Sequence, residues 1–210
     1  MADLITKIIL LAPPILLALT LHEYAHGYIA YRFGDPTAKS IGRLTLNPIK
    51  HLDPIGTIAF FLINIGWARP VPVNGTYFKN PRKDMIWVAL AGPVTNLFLA
   101  VGSAIAAKII LQISQALPGS IITEMVLVPL FAMSQASVWI NLVLCIFNFL
   151  PIPPLDGSRI LMGVLPENMA RLYASFERYG FIFILILAFT GILGKMIFPI
   201  INFAGNVLTP

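Results

Sequence analysis

Charged side chains are scarce in this sequence. They make up 11% of its 210 residues, where soluble domains carry about a quarter. Cysteine is scarcer: Cys145 stands alone in an apolar run, which excludes an internal disulfide framework and any multi-cysteine metal site. No polar domain gathers the basic residues. The formal net charge is +5, but the basic residues fall in gaps between apolar runs, so nucleic acid is excluded as a partner. What is abundant is apolar: 58% of the chain, with a mean hydropathy of +0.84. These values put the chain in the membrane class. Its length points to one membrane-embedded domain over 1–210, with a core at about 4–165 and a C-terminal helical segment at about 166–210.

Four apolar blocks stand out, at about 4–31, 85–114, 121–150 and 179–208. The first could pass for a signal peptide. Only Lys7 precedes its apolar stretch, Asp3 lies beside it and no small-residue cleavage site closes it, so a retained membrane helix is expected. Pro13 and Pro14 mark a kink in that block. Gly191, Gly194, Lys195 and Pro199 break the fourth, which reads as one span or a span plus a half-helix. The stretch 40–84 has another texture. "GRLTL" and "RPVPVN" alternate like short edge strands, and "IGTIAFFLINIGW" is apolar but too short to span. In "ENMARLYASFERY", Met169, Leu172, Tyr173 and Phe176 fall on one helical face, as in a helix lying in the membrane interface. The expected fold is an all-α polytopic membrane protein of about four to six transmembrane or half-membrane helices, with a small re-entrant β segment between the first two core helices. Eleven of the 14 basic residues fall in 32–84 and 150–178. Both loops lie on one side if the first three blocks each span once. That side is expected to be cytoplasmic, with the N-terminus extracytoplasmic and the protein in the cell membrane.

Inside the first block lies "HEYAH": His22, Glu23 and His26. Residues four apart share a helix face, so both imidazoles can bind one metal ion, and the glutamate can reach a water held there. Zinc lowers the pKa of such a water to about 7, and a carboxylate can then take its proton as it attacks a carbonyl. Ionisable groups at membrane depth are costly and mark function. A catalytic zinc usually has three protein ligands and an open position. Two candidates supply the third: Asp156 in "NFLPIPPLDGSR" and His51 in "NPIKHLDPIG". Topology favours Asp156, because the ends of blocks one and three and the start of block two reach the same depth. The prolines at 151, 153 and 154 break the helix there, which membranes tolerate only where protein or water covers the backbone.

"HEYAH" in the first membrane helix, "AGPVTN" at the start of the next and "NFLPIPPLDG" closing a third resemble the site-2 protease family of intramembrane zinc metalloproteases. "GRLTLNPIKHLDPIGT" and "GWARPVPVN" look like its compact prokaryotic branch. The resemblance covers roughly residues 15–165 and implies one Zn2+ per chain. It implies that His22, His26 and Asp156 bind the metal and that Glu23 is the general base. Asn148 matches the family asparagine near the scissile carbonyl, an oxyanion donor. Asn96 matches the asparagine of the Gly-x-x-x-Asn motif. The implied substrates are membrane-spanning segments of other proteins, cut within or at the edge of the bilayer. The chain leaves no room for the inserted PDZ-like domain of larger members.

Other readings stand beside this one. A membrane metal-ion transporter also needs His and Asp at depth, but it needs a polar path to the outer face and no base at Glu23. A catalytically inactive scaffold would not need the intact motif. His51 reads first as a turn or interfacial residue and second as an auxiliary part near the metal. Asn141, Ser137 and Ser134 share a stripe with Asn148 that reads as helix packing. Gly92, Asn96, Ala100, Ser103 and Ala107 form a small-residue face suited to close helix contact.

Overall fold

The apolar blocks fold as helices in the computed structural model, which describes residues 2–63 and 66–209. The first, α1 (Ala2–Arg32), runs on through Pro13 and Pro14. A four-residue turn of helix, α2 (Thr37–Ser40), and α3 (Pro54–Ile63) lie in the following segment. Then come α4 (Pro81–Ala116), α5 (Val128–Asn148), α6 (Asp156–Val164), α7 (Glu167–Ser175), α8 (Glu177–Phe189) and α9 (Ile192–Leu208). A wider, π-type turn, Thr123–Leu127, leads straight into α5, and the two form one apolar helix of 26 residues.

Local sequence explains several of these boundaries. Pro81 occupies the first position of α4, where its missing N–H costs nothing. Asp84 reaches back to accept the Asn80 N–H at 2.9 Å, placing a carboxylate at the positive end of the helix. Before α3, Asp53 accepts the Gly56 N–H at 2.7 Å and Pro54 follows it, an N-cap and a first-turn proline. Past the end of α5, Pro151, Pro153 and Pro154 forbid continuation.

Among the described residues three helices are long and apolar enough to cross a membrane: the α1 stretch Thr6–Arg32, α4, and Thr123–Asn148. The pair α7–α8, bent by 62° at its junction, makes a fourth if it counts as one span. The protein is therefore an all-α polytopic membrane protein. Helices α1, α4 and α5 pack on one another, α6 packs on α4, and α9 packs on α5. Small residues let α4 sit at the centre. Gly92, Asn96, Ala100, Ala104 and Ala107 are buried on it, as expected of a face built for close approach. Ala100 and Ala104 meet Val138 and Leu142 of α5 and Ile197 and Ile201 of α9. Block four divides at Gly191 into α8 and α9. Met169 and Leu172 of α7 and Phe176 just past its end are exposed, whereas Tyr173 turns in and donates to Pro151 O at 2.6 Å.

The two expected edge strands do not form a ladder. Among the described residues only the antiparallel bridge Leu52–Ala68 is present. The backbone that would pair is committed elsewhere. Arg69 N–H donates to His51 O at 2.8 Å. Arg69 O and Pro70 O accept from the Arg43 guanidinium at 2.7 and 3.3 Å. Val71 N–H donates to Glu23, and Pro70 and Pro72 have no N–H to give. The apolar stretch between these segments is α3, ten residues long and too short to span; its end at Asn64 and Ile65 lies outside the described residues.

Candidate metal centre

Four residues apart on α1, His22 and His26 face the same way and are buried. Asp156 reaches them from the first turn of α6. That turn lies directly beneath the end of α5. A Cβ on Gly157 would collide with the carbonyl oxygens of Phe149 and Leu150, so a glycine is required where α6 folds back. The result is a near-equilateral triangle of donors. His22 Nε2 and His26 Nε2 are 3.0 Å apart, and each is 3.2 Å from Asp156 Oδ2.

Hydrogen bonds on the far side of each ring set its tautomer. His26 Nδ1–H donates to Val88 O at 2.7 Å, because a carbonyl can only accept. For His22 the direction is fixed by a chain across three helices. Asn141 Nδ2 donates to Ser137 O at 2.8 Å, which turns Asn141 Oδ1 towards Asn96. Asn96 Nδ2 donates to that oxygen at 2.7 Å, which turns Asn96 Oδ1 towards His22. His22 Nδ1–H then donates to Asn96 Oδ1 at 2.5 Å. With Nδ1 donating in both rings, each neutral ring offers its Nε2 lone pair, and the two Nε2 atoms face each other and a carboxylate.

Three lone-pair donors crowded together and shielded from water repel one another unless a cation lies among them. Asp156 Oδ2 is buried and accepts no hydrogen bond. Ligands about 2.0–2.1 Å from a tetrahedral zinc lie about 3.3 Å from one another, close to the edges seen here. The space for an ion is kept open by Gly92 on α4, where a Cβ would run into the Nε2 atoms of both histidines. The donor set, its spacing and this gap fit zinc, and among the described residues this is the one His/Asp/Glu cluster with metal-holding geometry.

Glu23 is 9% exposed and lies beside the cluster on the same helix. Its Oε2 accepts Val71 N–H at 2.8 Å, while Oε1 has no protein partner among the described residues. The loop after α1 delivers that amide. Buried Asp35 accepts Thr37 N–H at 2.9 Å and Asn74 N–H at 2.7 Å, and buried Arg43 clasps the carbonyls at 69 and 70.

His51 does not join the cluster. It is buried in this loop, with Nε2–H donating to Thr45 O at 2.8 Å and Nδ1 unpartnered. Asn148 stays on the last turn of α5, where its amide donates to Leu144 O at 2.9 Å in its own helix and bonds to no member of the cluster. Asn96, fully buried, lies directly behind His22.

A model of one protein family, peptidase family M50, matches residues 10–191. The chain belongs to peptidase family M50. A relative from Bacillus subtilis named "Putative zinc metalloprotease YwhC" is 44% identical over 192 residues, covering 90% of this chain and 84% of the relative. "Putative zinc metalloprotease Rip2" of Mycolicibacterium smegmatis is 29% identical over 195 residues, 89% of this chain and 69% of the relative. The Mycobacterium tuberculosis protein of the same name is 29% identical over 196 residues. No solved structure matches the chain. This M50 chain, a site-2 protease relative, is thus an intramembrane zinc metalloprotease; neither the transporter nor the scaffold alternative is favoured.

Several parts of this M50 site carry no sequence signal. Val88 O and Val71 N–H are backbone groups, which any residue supplies. Asn141 and Ser137 look like packing residues until the hydrogen-bond chain behind His22 is traced. Ser103 extends that chain, its hydroxyl donating to Ser137 Oγ at 2.8 Å.

Proposed function

We propose that His22, His26 and Asp156 hold the zinc of this protease and that Glu23 is its general base. The observation that carries this reading is the triangle of three potential donors, with edges of 3.0–3.2 Å, around a gap that Gly92 leaves open. Zinc held by these residues would supply Lewis acidity for the scissile carbonyl and for the attacking water.

The remaining steps belong to the side chains. Val71 N–H steadies Glu23 Oε2 and leaves Oε1 to take the proton of the attacking water. The same carboxyl passes that proton to the leaving amine as the peptide bond breaks. Asn96 holds the His22 ring in the tautomer that offers Nε2. Asn148 is the proposed oxyanion donor. One of its two amide hydrogens is committed to Leu144 O, and the other is open. His51 serves the site indirectly, by bracing the segment that carries Val71.

The proposed substrates are transmembrane segments of other proteins. A catalytic cluster on helices that cross the bilayer meets such segments at its own depth. Crowding of basic residues in 32–84 and 150–178 supports a cytoplasmic position for the site and an extracytoplasmic N-terminus. Close contacts among α1, α4, α5, α6 and α9 support one domain over 1–210.

The test uses purified chain in detergent micelles and a synthetic single-span peptide with a Gly-Pro break at its midpoint. Wild type is expected to cut the peptide. Glu23→Gln is expected to keep its zinc, measured by elemental analysis, and to lose about 10²–10⁴-fold in rate. Substantial cleavage by Glu23→Gln would sink the assignment of the base.

A further inference from the structure

Away from the metal centre, a cavity of about 360 Å3 opens between the start of α4, the outer face of α6 and α7. That volume lies in the range of small-molecule sites, roughly 300–1,000 Å3. Its wall is mostly apolar, and Arg82 from α4, Arg159 from α6 and Arg171 from α7 are among the residues that line it. Met85, Met162, Ala170 and Ala174 make an apolar floor. Glu167 is the one carboxylate in the lining, and Arg171 already pairs with it at 3.4 Å.

The other two arginines keep donors to spare. Arg82 uses one nitrogen on the carbonyls of Leu165 and Met162, out of the five N–H bonds a guanidinium carries. Arg159 makes no hydrogen bond or ion pair among the described residues. A half-buried arginine without a partner, beside a second with open donors, is a place for an anion. The apolar floor gives that anion a tail. On the opposite side of α7, Met169, Leu172 and the following Phe176 are exposed, the pattern of a helix lying in the membrane interface, which would set the cavity near the headgroups.

We propose that this cavity binds one anionic phospholipid, with its phosphate between Arg159 and Arg82 and the upper part of an acyl chain over Met85, Met162 and Ala174. Free phosphate would leave the methionine floor unused, and an uncharged lipid would leave the arginines unanswered. Arg159 lies one turn beyond Asp156 on α6, so the lipid braces the helix that carries the third donor.

The full chain in neutral maltoside micelles would be mixed with equimolar dioleoyl phosphatidylglycerol and dioleoyl phosphatidylcholine. Lipid retained after gel filtration is counted by mass spectrometry. Wild type is expected to retain phosphatidylglycerol preferentially. Arg159→Gln should reduce that preference about fivefold, the loss of one arginine near a charged headgroup. Arg159→Lys should restore most of it. Neither inorganic phosphate nor hexaglutamate in excess should displace the lipid. Equal retention by wild type overturns the proposal whatever the variants do. So does an unchanged preference in Arg159→Gln. Displacement by phosphate or by hexaglutamate would assign the arginines to a free anion or an acidic peptide and overturn the phospholipid.

Discussion

His26 and His51 are both buried, and each fixes one ring nitrogen on a backbone carbonyl. They differ in what the other nitrogen meets. His26 Nε2 faces His22 and Asp156 at 3.0 and 3.2 Å. His51 Nδ1 faces no partner. Burial and a fixed tautomer therefore do not make a ligand; convergence does. The helix supplies convergence cheaply, because four residues of rise bring two rings to one face. The loop around His51 spends its geometry on holding itself together.

The comparison can be broken at four points. Asp156→Ala has the largest expected effect: zinc is lost from the purified chain and cleavage falls to background. Gly92→Ala comes next, since the new methyl group fills the gap between the histidine nitrogens. Its zinc-to-protein ratio is expected well below wild type, with the fold intact by circular dichroism. Asn96→Ala leaves the ligands in place and removes the partner of His22 Nδ1. Zinc affinity should fall about 10–100-fold in a competition titration with a chelator. His51→Ala is the mildest. It should keep full zinc and lose about 1 kcal/mol of stability with the Thr45 hydrogen bond. Loss of metal in that variant would move His51 into the site and erase the contrast with His26.

Much of the site was legible because its spacing is dictated by helix geometry. His22, Glu23 and His26 are ordered by 3.6 residues per turn whatever surrounds them. Asp156 could be chosen over His51 by depth alone, since three polar features lie at matching ends of three apolar runs. The edge strands were misread for a physical reason. Alternation in "RPVPVN" reports which side chains face which way, but not whether a backbone partner is free. Here the side chains of Arg43 and Glu23 took the partner's place. The role of Gly92 was half visible: a small-residue face predicts close packing, but not that what packs against it is a pair of histidine nitrogens.

The length of α4 has a consequence for where the enzyme works. Its 36 residues extend about 54 Å at 1.5 Å each. A bilayer measures about 30 Å across its hydrocarbon and about 40–45 Å with headgroups. The helix therefore tilts, stands out of the membrane, or does both, and how much of each depends on the lipid around it. Gly92 and Asn96 ride on this helix beside the histidines. Bilayer thickness therefore bears on how α4 sits in the membrane, and through α4 on the depth of the His22, His26 and Asp156 cluster packed beside it.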